Sequence, residues 1–167
     1  MKKIASLIVI FLLTISCSMA QKTTFSEEAL TSNLVNPEGS EVVFKEILEK
    51  HKGKTTIIEF WASWCGDCVK AMPKMKELQS NFKEVDFVFV SLDKSLEKFK
   101  NGVAKHDLKG DNYWVNDKDG MKGNFGQSVD LDWIPRYMII DKDGNIVIYR
   151  AIETDFEKIN TILKTLK

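Results

Sequence analysis

The stretch Phe60-Trp61-Ala62-Ser63-Trp64-Cys65-Gly66-Asp67-Cys68 decides how the chain is read. Leading into it, Thr55-Thr56-Ile57-Ile58-Glu59-Phe60-Trp61 is β-branched and aromatic with too few polar breaks for a surface strand, which predicts a central buried strand. Beyond it, Cys68, Met72, Met75, Leu78 and Phe82 recur every three or four residues, which predicts a helix to about Asn81 with a kink at Pro73. The two cysteines therefore stand where a buried strand turns into a helix. There the first thiol meets unpaired backbone N–H groups and the positive end of the helix dipole, which favour the thiolate, while the second lies one turn further in and is shielded. Cys65 is thus the candidate nucleophile toward a disulfide, and Cys68 the resolving thiol that attacks Cys65 and frees the reduced substrate. Glu59 precedes Cys65 on the strand and is the candidate proton acceptor, because a carboxylate buried beneath the pair has a raised pKa and can take the Cys68 proton.

Further out, Val43, Phe44, Ile47 and Leu48 predict a helix ending near His51, with Gly53 as its stop. Phe87-Val88-Phe89-Val90 predicts a second buried strand, followed by a helix carrying Leu96, Phe99 and Val103. Strand, helix, strand, helix implies a parallel pair with a crossover. Residues 102–132 are poorly patterned, with Tyr113-Trp114-Val115 as one short strand candidate. Tyr137-Met138-Ile139-Ile140 and Ile146-Val147-Ile148-Tyr149 predict a hairpin turning at Asp143-Gly144. Phe156, Ile159, Ile162 and Leu163 predict a last helix over 154–166 with Thr154 as its N-cap. Residues 21–40 are polar, include Asn36-Pro37-Glu38-Gly39 and read as a linker or N-terminal extension before a domain over 41–167.

The chain has 167 residues, 24 Lys+Arg against 24 Asp+Glu, 44% hydrophobic and 29% charged residues, which fits one globular domain and gives no basic patch for nucleic acid. Lys2 and Lys3 precede an unbroken apolar run over 4–13, too short to span a bilayer, and Ser18-Met19-Ala20 fits a small-x-small cleavage site. Residues 1–20 therefore read as a signal peptide and the mature protein as starting at Gln21, exported to a periplasm-type compartment. Thr14-Ile15-Ser16-Cys17 offers a competing end to the export signal, a lipid anchor at Cys17 that tethers the protein to a membrane as a lipoprotein. Either way Cys65 and Cys68 are the thiols of the folded domain, and a pair so close in sequence cannot staple distant parts of it. Zinc would need two further ligands, and His51 and His106 lack ligand spacing, so no metal is expected; both histidines read as solvated. Asp117-Lys118-Asp119-Gly120 and Asp141-Lys142-Asp143-Gly144 lack calcium-loop spacing and read as turns.

The segment over 60–68, Pro73 and the later Trp133-Ile134-Pro135-Arg136 together resemble the thioredoxin superfamily, and more closely its exported TlpA/ResA-like branch, over about residues 36–166. The resemblance implies an α/β, thioredoxin-like fold: a central mixed sheet of four or five strands with helices on both faces, in which 102–132 is a variable connection. It assigns attack to Cys65, resolution to Cys68 and the buried acid to Glu59, and it makes Pro135 a cis proline facing the disulfide. Ile134 would then offer backbone groups with which an extended substrate segment pairs. Trp61 and Trp64 read as packing residues rather than catalytic ones, with Trp64 also a candidate to line the substrate groove. Gly66 and Asp67 occupy the potential-tuning positions between the cysteines. Asp67 stands where proline is common, Arg136 where threonine is frequent and Ala71 where some members carry glutamate, and the glycine expected near Ile152 is missing, so substrate detail does not carry over.

The expected activity is thiol–disulfide exchange on disulfide-bearing exported proteins. No cofactor is expected, since no Gly-rich dinucleotide turn follows a strand; electrons would come from a membrane or periplasmic thiol donor. The rival is a thioredoxin-fold binding module whose cysteines stay locked as a disulfide.

Overall fold

The computed structural model describes residues 21–166, so the signal-peptide reading of residues 1–20 and the Cys17 anchor lie outside the described residues. Seven strands form one mixed sheet in the order β2-β1-β5-β4-β3-β6-β7. Its centre is β3 (Thr56–Trp61), buried along its whole length, as an uninterrupted β-branched and aromatic run requires. β4 (Asp86–Ser91) pairs parallel to β3 with Glu59 beside Phe89, and β6 (Arg136–Ile140) pairs antiparallel on the other side with Glu59 beside Tyr137. β5 (Asp111–Trp114) extends the parallel set beyond β4, and β7 (Ile146–Ala151) closes the far edge as a hairpin partner of β6. Asp141 builds that hairpin turn by accepting from the amides of Asp143 and Asn145 at 3.0 and 2.8 Å, and Gly144 supplies the positive φ of 93°.

The sheet is wider than the four or five strands implied by the resemblance, because the residues read as a linker are part of it. A short helix α1 (Glu27–Leu30), capped by Ser26, leads into β1 (Asn33–Val35), which pairs with β2 (Glu41–Val43) and through Val35 with Trp114 of β5. Ahead of α1, the Thr23 carbonyl accepts from Ile146 N at 2.9 Å, holding the chain against β7. The domain therefore begins well before residue 41. A three-residue strand offers too little alternation to be read, although Leu34 and Val35 are both buried.

Helices cover both faces. On one, Phe44 of α2 (Phe44–Lys50) and Phe125 of α5 (Asn124–Ser128) meet edge to face and Phe125 packs on Phe60. On the other lie α3 (Gly66–Asn81), α4 (Leu96–His106) and α6 (Phe156–Thr165), with Trp61 against His106 and Tyr137 against Phe156. Because strand side chains alternate, Glu59 and Trp61 share this second face with α3. Gly102 of α4 lets that helix approach: a Cβ there would lie 2.9 Å from the Ser63 Cβ and 3.0 Å from Trp61 Cη2. Gly102→Ala should therefore lose stability, the ~1–3 kcal/mol of overpacking exceeding the ~1 kcal/mol gained in helix propensity, and a lower thermal midpoint is the expected readout.

Three local expectations need correction. α6 is not capped by Thr154: Asp155 takes the N-cap position, and its carboxylate accepts instead from Ile152 N at 2.9 Å. His51 is buried rather than solvated, its Nδ1 2.8 Å from Asp86 and its Nε2 3.1 Å from Asp111, so it ties the end of α2 to β4 and β5. His106 is partly buried against the Trp61 ring, and desolvation with Lys105 and Lys76 nearby holds its pKa below the usual value. The two Asp-Lys-Asp-Gly segments are turns; Asp117 accepts from Asp119 N and Asn124 N, and no cluster able to hold a metal ion occurs among the described residues.

Candidate active site

Cys65 is the N-cap of α3, with Gly66, Asp67 and Cys68 in the first turn. Its Sγ accepts from the Cys68 amide at 3.1 Å, so the sulfur occupies the position where a capping oxygen would satisfy an orphan helix N–H. The two cysteines are joined as a disulfide with their Cα atoms 5.3 Å apart. Cys65 is 7% exposed and Cys68 not at all, which leaves the first sulfur as the approachable one. The turn carrying them is pinned to the end of β4 by buried Asp93, which accepts from the Ser63 hydroxyl at 2.6 Å, the Ser63 amide at 3.2 Å and the Ser91 hydroxyl at 2.8 Å. Sequence reading misses Asp93; its only signal is the Ser91-Leu92-Asp93 that ends a buried strand.

The Ile134-Pro135 peptide bond is cis, and the Ile134 carbonyl oxygen lies 3.6 Å from Cys65 Sγ. Arg136, next in sequence, is fully buried and pairs with Asp132, which also pairs with exposed Arg150, so the loop is tied at both ends of Trp133-Ile134-Pro135. A buried guanidinium needs such a partner. The large hydrophobic side chains that are exposed, among the described residues, are Trp64 at 55%, Trp133 at 50% and Val69, and all three flank the disulfide or the cis-proline loop. Sequence reading gives Trp133 no role of its own, because nothing short of the fold puts residue 133 beside residue 65.

Glu59 is 2% exposed, and neither carboxylate oxygen has a hydrogen-bond partner. Desolvation pushes its pKa up to about 8, and Tyr137, directly opposite on β6, acts in the other direction without its hydroxyl reaching hydrogen-bond geometry. Glu59 therefore carries its proton through most of the neutral range. Gly66 is exposed, has no positive φ and has open space where a Cβ would stand, so the backbone does not require glycine there. Asp67 is partly exposed and forms an i,i+3 ion pair with Lys70 at 3.3 Å.

A family model described as thioredoxin-like matches residues 53–146. The chain belongs to this thioredoxin-like family. It is 30% identical over 150 residues to the thiol-disulfide oxidoreductase ResA of Bacillus thuringiensis, covering 87% of this chain and 80% of that one. It is 33% identical over 129 residues to the ResA of Bacillus cereus, covering 76% and 69%. A crystal structure of a candidate thiol-disulfide oxidoreductase from Bacteroides vulgatus superposes with a TM-score of 0.64 at 29% identity, covering 81% of this chain and 92% of that one. This thioredoxin-like protein is accordingly a thiol-disulfide oxidoreductase whose reacting pair is Cys65 and Cys68.

A negative charge within one helical turn of Cys65 penalises its thiolate and leaves the neutral disulfide almost untouched, so Asp67 should make the site more reducing. Lys70 partly offsets this. Asp67→Asn should lower the Cys65 pKa and raise the reduction potential by roughly 6–20 mV, for ~0.3–1 kcal/mol at a partly exposed site and 30 mV per ~1.4 kcal/mol. Equilibration against a glutathione series reads the shift, which should shrink at high salt.

Proposed function

We propose that the chain works outside the cytoplasm, after removal of residues 1–20, as a thiol-disulfide exchange enzyme acting on disulfides of other exported proteins. The charged start, short apolar core and small-residue site at Ser18-Met19-Ala20 support export, with a Cys17 anchor as the alternative end that intact-mass analysis of the secreted protein distinguishes. The observation that carries the chemistry is the position of Cys65: a helix N-cap whose sulfur accepts the Cys68 amide, 3.6 Å from the Ile134 carbonyl, with Cys68 sealed behind it.

In the dithiol form, the helix N-terminus that holds the Cys65 sulfur favours its thiolate. That thiolate attacks a client disulfide; one client sulfur leaves as thiolate and the other stays bonded to Cys65. In the fraction of molecules whose Glu59 is ionised, which grows as pH approaches 8, Cys68 gives its proton to that carboxylate and attacks Cys65 Sγ, releasing the second client thiolate and forming the Cys65–Cys68 disulfide. Glu59 is suited to this by its raised pKa and by its place on the sheet face that α3 covers. The client is held as an extended segment beside Ile134 and Pro135, where Trp64 and Trp133 are exposed and a cleft is lined by Trp64, Leu92 and Met121. A thiol donor in the same compartment returns the pair to the dithiol form.

Reduction of insulin with a small-thiol donor tests the reading. Catalytic turnover that disappears in Cys65→Ser supports it; no turnover above the donor alone would make the protein a binding module.

A further inference from the structure

Asp93 lies just beyond the end of β4, is 2% exposed, and has each of its polar atoms in use. Its amide donates to the Ser91 hydroxyl at 3.0 Å, and its carbonyl accepts from Trp114 Nε1 at 2.6 Å. Its carboxylate accepts from the Ser91 hydroxyl at 2.8 Å, from the Ser63 hydroxyl at 2.6 Å and, through both oxygens, from the Ser63 amide at 3.2 Å. Packing alone does not call for a buried carboxylate, which is costly to take out of water. Three of these contacts go to Ser63, two residues before Cys65.

We propose that Asp93 is a positioning residue for the attacking thiol: by gripping Ser63 it fixes the turn that sets Cys65 at the N-cap of α3. This rests on the reading of Cys65 as the thiol that attacks. Ala62-Ser63-Trp64-Cys65 is a turn closed by the Cys65 amide, which donates to the Ala62 carbonyl at 3.1 Å, and Ser63 and Trp64 are its corners. The amide of the first corner has no partner inside such a turn, and Asp93 supplies one. The strand entering the turn is fixed too, since the Leu92 amide donates to the Trp61 carbonyl at 2.8 Å. Gly102 of α4 packs closely against the Ser63 Cβ, so Ser63 is held by the carboxylate and by the helix together.

None of the Asp93 bonds involves a sulfur. In the disulfide form Cys65 is also tied to Cys68; once that bond is reduced, the place of its sulfur, 3.1 Å from the Cys68 nitrogen and 3.6 Å from the Ile134 carbonyl oxygen, depends on the turn, and the turn on Asp93. Misplacing a reacting group by ~1 Å costs on the order of a hundredfold in rate. Asp93 does this by accepting hydrogen bonds, and asparagine separates that from its charge. In Asp93→Asn the amide oxygen can accept both Ser63 donors while the amide nitrogen donates to the Ser91 oxygen, which leaves the Ser91 proton, away from the turn, as the one that loses its acceptor.

Alkylation of the reduced protein by iodoacetamide across pH reads the Cys65 thiolate with no client present, and stopped-flow exchange with a peptide disulfide reads its attack; thermal melts first establish that each variant is folded at the assay temperature. Asp93→Ala should raise the Cys65 pKa and slow attack at least about tenfold, whereas Asp93→Asn should restore most of both. Loss of the negative charge by itself acts the other way, lowering the Cys65 pKa in either variant. Ser63→Ala, which removes the 2.6 Å bond and keeps the amide contacts, should fall between the parent and Asp93→Ala. A folded Asp93→Ala with the parent's alkylation profile and attack rate would overturn the proposal, as would an Asp93→Asn no better than Asp93→Ala. If Asp93→Ala does not fold, parent-like attack in Ser63→Ala overturns it instead. Should Cys65→Ser still attack the peptide at the parent's rate, it is the reading of Cys65 that fails, a result distinct from all of these.

Discussion

With Cys68 replaced by serine, the protein should accumulate as disulfide-linked adducts with its clients and lose catalytic turnover. The reason is positional. Cys65 retains the helix N-cap and its opening to the surface, so attack on a client disulfide proceeds, but no thiol remains behind it to break the mixed disulfide. Serine preserves the size of a side chain that is wholly enclosed, so the site stays packed. Cys65→Ser should form no adducts, because the remaining thiol of Cys68 is sealed beneath the first turn of α3. The expected contrast on non-reducing gels is complete: adducts that collapse on reduction for one variant, and none for the other. Equal trapping by both would mean that attack and resolution are not divided in this way.

The part of this site that the sequence displays is the part built from contiguous residues. The run from Thr56 to Trp61 can only be a buried strand, and apolar residues at helical spacing after Cys65 make the strand-to-helix junction visible in the residues themselves. The hairpin is equally plain, since Asp143-Gly144 interrupts two apolar runs of strand length. What stays hidden depends on chain segments far apart. β1 is too short to show a period, and its place in the sheet comes from pairing with residues on either side of the domain's middle. His51 looks solvated because its sequence neighbours are charged, yet the carboxylates that hold it are Asp86 and Asp111. Asp93 and Trp133 join the site only through the sheet, and the cis geometry of Pro135 follows from family resemblance, not from any local pattern. Tyr137 reads simply as a strand residue; register alone brings it opposite Glu59.

Replacing Glu59 with glutamine should remove a large part of the pH dependence of stability between about pH 4.5 and 8. In the unfolded chain this carboxyl titrates near the ordinary value of 4.5, whereas in the folded protein burial raises it to about 8. Below 4.5 both states hold the proton and the site costs nothing extra. As pH rises through the interval, the unfolded state releases its proton while the folded state keeps it, so stability conferred at low pH is progressively lost. Above 8 both states are ionised and the loss is complete. At about 1.4 kcal/mol per unit, the whole effect is on the order of several kcal/mol as an upper bound. Glutamine has nearly the same shape and no titration, so its stability should run flatter across this window and exceed that of the parent at pH 8.5. Its amide brings a donor into a place without a partner, a cost of ~1–3 kcal/mol that is the same at every pH and drops out of the slope. Urea unfolding of the oxidised forms at several values from pH 4 to 9 gives both curves. Parallel curves would show that Glu59 titrates in the folded protein much as it does in the unfolded chain, and the role given to it as a proton acceptor would lose its basis.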